Sequence, residues 1–211
     1  MHAWSTRSQI GGERVDSDRQ ARIERRTKET EITLTLNLDG QGQAEVSTGV
    51  GFLDHMLTSL SSHSRFDLEL SARGDLHVDS HHLVEDVAIC LGQAVKESLG
   101  SRQGIERFGH AVVPMDESLA AATVDCSGRG HAAISIEFVP GSVGGLPTSL
   151  LEHFFESFAR SAELTLHLAA TGSDNHHVAE ASFKALARAL RQATRTDPSL
   201  RGLSASTKGS L

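Results

Sequence analysis

Tyrosine is absent from this chain, and Trp4 is its one tryptophan. The flat rings on which single-stranded nucleic acid stacks are therefore missing. Positive charge is not in excess either: Lys and Arg total 20 against 27 Asp and Glu, for a formal net charge of -7. A chain of that sign has no basic field for a phosphate backbone, so nucleic acid is excluded as a partner. No apolar run is long enough to span a bilayer, which excludes a membrane-spanning helix. The N-terminus lacks the apolar core of a secretory signal, and Glu13, Asp16 and Asp18 argue against an organelle transit peptide. A cytoplasmic location follows by elimination. Cysteine is scarce: Cys90 and Cys126 each sit inside an apolar stretch. They read as buried free thiols in a reducing compartment rather than as a disulfide.

Histidine, by contrast, occurs 12 times, and its placement is informative. The word HHxxE appears twice, as His81-His82-Leu83-Val84-Glu85 and as His176-His177-Val178-Ala179-Glu180. On an α-helix, residues i and i+4 share a face. His81 and Glu85 can thus hold one ion together, as can His176 and Glu180. His82 and His177 are each turned about 100° from their neighbour and are free to serve a second ion.

The two words sit in two copies of one pattern. In the first, residues 31–38 alternate as a strand, Asp39-Gly40 marks a turn, and residues 43–47 return as a short strand. A helix is predicted over 51–64, with Leu53, Met56, Leu57 and Leu60 on one stripe. A strand over 66–71 follows, then a long helix over 81–99 that Gly100 ends. In the second copy the strands are 119–125 and 132–138, with a helix from Pro147 to about Arg160, a strand over 163–169 and a helix over 176–194. The expected fold is α+β, with internally duplicated ββαβα halves, each a small sheet backed by two helices in a two-layer sandwich. The predicted organisation is a mobile polar N-terminal arm (1–22), a first half (23–102), and a second half with a C-terminal tail (103–211).

The duplication also aligns single histidines. His55 in FLDHM matches His153 in LLEHF. The candidate ligands are then His55, His81, His82, Glu85, His153, His176, His177 and Glu180, enough for three imidazoles and one carboxylate on each of two ions. Imidazole and carboxylate without thiolate suit Mn, Fe, Co, Ni or Zn, and disfavour Ca and Mg. Four protein ligands on a six-coordinate ion leave room for substrate, and Mn(II) fits that picture. Arg107, Arg129, Lys184 and Lys208 lie in loops or near element ends and suggest an anionic substrate. Ser206-Thr207-Lys208-Gly209 could wrap a phosphate. A binuclear metal phosphoesterase and a metal store both draw on such residues, but a store needs no Arg129 or Lys208. Glu29, just before the first predicted strand, is by pattern an ordinary edge carboxylate.

At these residues the chain resembles the imidazoleglycerol-phosphate dehydratase family. The words that carry the resemblance are RTKET (26–30), LNLDG (36–40), GFLDHML (51–57), HHLVEDVAICLG (81–92), RFGHAVVPMDE (107–117), SGR (127–129), EHFF (152–155), the span 175–185, and STKG (206–209). It runs from about Arg22 to Leu211. Leu83 and Ala205 depart from the family's usual residues. The resemblance implies a ribosomal-protein-S5-like duplicated fold and a hydro-lyase of histidine biosynthesis. That enzyme dehydrates imidazole glycerol phosphate to imidazole acetol phosphate by way of a metal-bridged imidazolate. It implies two Mn(II) ions per active site and a homo-oligomer of twenty-four chains whose sites are shared between subunits. One ion would take His55, His82, His176 and Glu180, and the other His81, Glu85, His153 and His177. Arg107, Arg129, Ser206 and Lys208 would hold the phosphate, with Lys184 assisting. Glu29 would contact the substrate diol, and Glu29 or Glu180 would move the protons.

Overall fold

The structure, a computed structural model, describes residues 19–200, 202, 203, 205 and 206. Residues 1–18 of the expected arm, and Lys208, lie outside the described residues. The first half contains β1 (Gln20–Arg26), β2 (Thr30–Asn37), β3 (Ala44–Ser47), α1 (Gly51–Ser64), β4 (Asp67–Gly74) and α2 (His81–Leu99). The second contains β5 (Phe108–Met115), β6 (Ser118–Asp125), β7 (His131–Ile136), the short pair β8 (Ser142–Val143) and β9 (Leu146–Pro147), α3 (Thr148–Ser161), β10 (Thr165–Thr171) and α4 (Asn175–Ala193).

The sheet orders are β1-β2-β4-β3 and β5-β6-β10-β7, so the two halves share one topology. Each four-stranded sheet carries one strand more than the ββαβα pattern, and the second half adds the short β8-β9 pair. Both additional strands, β1 and β5, are sheet edges. β1 also corrects the arm's boundary, because residues 20–22, expected in the mobile arm, pair with Asn37, Leu36 and Thr35 of β2. Arg19 just before it is tied down as well, with Nε 2.9 Å from Asp39.

Helix formation follows the apolar stripes. Leu53, Met56, Leu57 and Leu60 of α1, and Val84, Val87, Ala88, Leu91 and Val95 of α2, are all buried. The strands alternate, with every second residue of β2 and β4 pointing under the helices. The helices of the two halves then pack on one another, α1 on α4 and α2 on α3. Gly92 permits the closest part of the second contact: a Cβ there would lie 2.6 Å from the Phe158 carbonyl oxygen. In the second half, the rings of Phe154 and Phe155 lie 5.2 and 4.8 Å from Phe183. Cys90 and Cys126 are free and buried. Burial pushes their thiols up to about 11 and about 12, so both stay protonated and unreactive.

The outer faces of the sheets differ. The first shows Glu31, Glu69 and Arg73. The second shows Phe108, Val112 and Leu119, which are 54%, 62% and 48% exposed. Among the described residues, no helix is long and apolar enough to cross a membrane.

Candidate active site

Both HHxxE words open a helix, and both openings are built alike. The His81 backbone N–H donates to Asp79 Oδ1 at 2.7 Å, and that of His176 to Asp174 Oδ1 at 2.7 Å. A carboxylate two residues upstream thus satisfies an N–H that the helix leaves unpaired. The helix packing described above sets a helix of the other half beside each opening, α3 beside α2 and α1 beside α4.

Two clusters result. His55 from α1 meets His176 and Glu180 from α4, and His153 from α3 meets His81 and Glu85 from α2. Within each cluster the ligand atoms lie within 4.8 Å of one another. Glu180 Oε2 is 3.2 Å from His55 Nε2 and 3.3 Å from His176 Nε2. Glu85 Oε1 is 3.1 Å from His153 Nε2. Each cluster therefore joins one half of the chain to the other. Two imidazoles and one carboxylate, with no thiolate, form a donor set that fits a divalent transition ion and leaves positions open.

The clusters are not identical. Lys184 Nζ lies 2.7 Å from Glu180 Oε1. Ile89 stands at the matching place, four residues after Glu85. Burial pushes the Glu180 carboxyl up, but Lys184 and His55 outweigh it and the net direction is down. Lys184 is placed here, at the first cluster, rather than with the other expected phosphate contacts.

His82 and His177 join neither cluster. His82 Nδ1 is 3.0 Å from Asp75 Oδ2, and His177 Nδ1 is 2.8 Å from Glu117 Oε2. These hydrogen bonds raise both imidazoles above their ordinary value. The bond from His177 holds Glu117 down at about 2. So the structure brings together three of the four residues expected at each ion and sets the fourth apart.

Glu29 lies near His82, in the turn between β1 and β2. The turn is rigid. Thr27 Oγ1 accepts the N–H groups of Glu29 and Thr30 at 3.1 and 2.9 Å. Thr30 Oγ1 donates to Asp86 Oδ2 at 2.5 Å, and Arg25 holds the other Asp86 oxygen at 2.9 Å. The Glu29 carboxylate itself makes no hydrogen bond to a described residue. It borders an open recess of about 380 Å³ that Arg26, Lys28, Arg73 and Asp75 also line.

A third group gathers at the start of β5. Arg107 clasps Asp125 through Nε at 2.7 Å and Nη2 at 3.1 Å, and its Nη1 donates to the Ala205 carbonyl at 2.6 Å. Arg129 lies 3.9 Å from the same carboxylate, with its side chain 71% exposed. Ser206 follows Ala205, so Arg107 draws the tail to the two arginines. This group is far from the first cluster. The Arg107 N–H bonds to the Ala193 carbonyl at the far end of α4. By the helix rise, His176 is roughly 25 Å from that point. One chain's Arg107 and Arg129 and its own first cluster cannot hold one small molecule.

Sequence reasoning missed Asp75, Glu117, Asp125 and Asp86. Glu117 and Asp86 stand inside the family-like words, yet spacing gives neither a partner. Asp75 carries no local signal.

The imidazoleglycerol-phosphate dehydratase family model matches residues 48–190. Among relatives, the imidazoleglycerol-phosphate dehydratase of Granulibacter bethesdensis is 54% identical over 194 residues, covering 92% of this chain and 99% of its own. That of Gluconobacter oxydans is 52% identical over 198 residues, covering 93% and 100%. Among solved structures, the Staphylococcus aureus dehydratase superposes with a TM-score of 0.77 at 35% identity, covering 84% of this chain and 99% of its own. The Pyrococcus furiosus enzyme, solved in complex with (S)-C348, gives 0.77 at 35% identity, covering 90% and 100%.

Proposed function

Because the chain belongs to the imidazoleglycerol-phosphate dehydratase family, hydro-lyases of histidine biosynthesis, we propose that its dehydration of imidazole glycerol phosphate is metal-dependent and that its sites are shared between copies of the chain. The observation that carries this reading is the split ligand set. Six ligands converge as two groups of three, while His82 and His177 stand outside both. A second copy would complete each group. A neighbouring copy would also supply the arginines, which one chain holds roughly 25 Å from its own first cluster. The apolar outer face of the second sheet supports self-association. The assembly proposed is the twenty-four-chain particle, with two Mn(II) ions per site.

The clusters would hold the ions through His55, His176 and Glu180, and through His81, Glu85 and His153. Ions bound there would favour the anionic form of the substrate's imidazole ring. The rest falls to the side chains. Arg107, Arg129, Ser206 and Lys208 bind the phosphate and set the diol's position. Glu180 is occupied by two imidazoles and Lys184, so it orients rather than titrates. The C–O bond next to the ring breaks first, and Glu29, on its turn, then takes the proton from the next carbon, so that hydroxide and that proton together make up the water lost. The enol becomes the ketone when its hydroxyl proton is replaced by one on the ring-adjacent carbon.

The test is turnover with and without Mn. Metal-loaded protein should yield imidazole acetol phosphate and no inorganic phosphate. Glu29→Gln should cut turnover by about 10²-fold or more with binding retained. Inorganic phosphate without ketone would replace the dehydratase reading by the phosphoesterase one. Full activity in metal-free protein would overturn the metal dependence.

A further inference from the structure

The two imidazoles outside the clusters are each held by a carboxylate, but not by matching ones. β2 and β6 are both eight residues long and begin at Thr30 and Ser118. Glu29 and Glu117 therefore occupy the same place, the last residue of the turn before the strand. In the second half, Glu117 reaches α4. Its Oε2 lies 2.8 Å from His177 Nδ1, and its Oε1 accepts the Asp174 N–H at 2.9 Å and the Ser118 hydroxyl at 3.0 Å. In the first half, Asp75, just past the end of β4, takes the His82 Nδ1 at 3.0 Å instead. The duplicated position has thus diverged. One glutamate is committed to a histidine, and its counterpart, Glu29, is released from that duty.

We propose that Asp75 and Glu117 are positioning residues that fix His82 and His177 with the proton on Nδ1. Each Nε2 is then a lone-pair donor outside this chain's own clusters, directed to a cluster on a second copy; the exposed Asp116 carboxylate, 3.7 Å from His177 Nε2, is too far to hydrogen-bond it. The physical reason is that a neutral imidazole has two tautomers, and only the one with a bare Nε2 can ligate through that atom. A carboxylate on Nδ1 selects that tautomer, locks the ring and raises its donor strength. The inference rests on the shared-site reading and adds two residues to it. It also explains why Glu29 is available for proton transfer: Asp75 does for His82 what Glu117 does for His177.

The experiment is Mn(II) equilibrium dialysis on the full-length protein, with no turnover involved. The variants are Asp75→Ala, Asp75→Asn, His82→Ala and the Asp75→Ala/His82→Ala double. Asp75→Ala should weaken Mn binding about 10- to 100-fold. Asp75→Asn, whose side-chain oxygen still accepts from Nδ1–H, should restore most of that loss. The double variant should bind no worse than His82→Ala alone, because Asp75 acts only through His82. Additive losses, or an Asn variant no better than Ala, would mean that Asp75 merely supports the fold, and would overturn the proposal. Wild-type affinity in Asp75→Ala would do the same. If His82→Ala itself keeps wild-type affinity, the shared-ligand reading falls first, and the proposal with it.

Discussion

Replacing Gly92 by Ala adds one methyl group to the middle of α2. By helix propensity alone the change stabilises the helix by about 1 kcal/mol. The structure predicts the opposite sign. The new Cβ would lie 2.6 Å from the Phe158 carbonyl oxygen, 2.7 Å from Ser161 Cβ and 2.8 Å from the Ala162 nitrogen. None of these atoms is the loose end of a long side chain. The Phe158 oxygen already accepts the Ala162 N–H at 2.9 Å, so it is fixed in the last turn of α3. α2 and α3 must therefore move apart. Overpacking costs typically 1–3 kcal/mol, and three rigid neighbours put this case near 3. Subtracting the propensity gain leaves a net loss of about 2 kcal/mol. At a urea slope near 2 kcal/mol/M, the midpoint should fall by roughly 1 M. The measurement uses metal-free protein at one fixed concentration, since bound ions and assembly both shift apparent stability. A second readout is local. The α2–α3 contact carries Glu85 and His153, 3.1 Å apart, whereas the first cluster lies between α1 and α4. One class of Mn site should weaken and the other hold. A raised midpoint, or equal weakening of both classes, would refute the argument.

Two further outcomes follow from the same geometry. Burial pushes the Asp67 carboxyl up, but the N–H groups of Gln43, Gln41 and Gly42, at 2.9, 2.8 and 3.0 Å, outweigh it and hold it below its ordinary value. Its stabilising effect is therefore present above the unfolded value near 3.9 and lost as pH falls through the folded one. The melting-temperature gap between the wild type and Asp67→Asn should be open at pH 6 and close below pH 4, and a constant gap down to pH 2 would contradict this. Arg129 is largely exposed and only 3.9 Å from Asp125, so Arg129→Ala should leave the melting temperature nearly unchanged. It should raise KM about ten- to a hundredfold by removing a charge-assisted contact to phosphate, at about 1.5–3 kcal/mol. A fall in kcat with KM unchanged would show that Arg129 does not bind the phosphate.

Local pattern encoded the helices well. The ranges predicted for α1 and α2, 51–64 and 81–99, are those found, because apolar stripes and Gly100 are signals within a few residues of one another. The missed strands had no such signal. In β1 the third inward position is Arg25, which pairs with Asp86 and breaks the apolar alternation. In β5 the outer face is apolar too, with Phe108 and Val112 exposed, so a period of two does not show. Pro114 adds a strand-breaking mark that only an edge strand tolerates.

By itself the sequence determined which imidazoles and carboxylates are candidate ligands, and the pairing of each glutamate with the histidine four residues before it, since the helix repeat alone sets that pairing. It determined the duplication and, through its ordered words, the family. That His55 meets Glu180 and His153 meets Glu85, contacts that span 125 and 68 residues, was implied by the family resemblance but by no spacing, and it is the tertiary structure that makes those contacts. Only there do His82 and His177 turn to Asp75 and Glu117, and the arginines stand apart from the first cluster. Those choices depend on how two sheets bring four helices together, and no local periodicity carries that information.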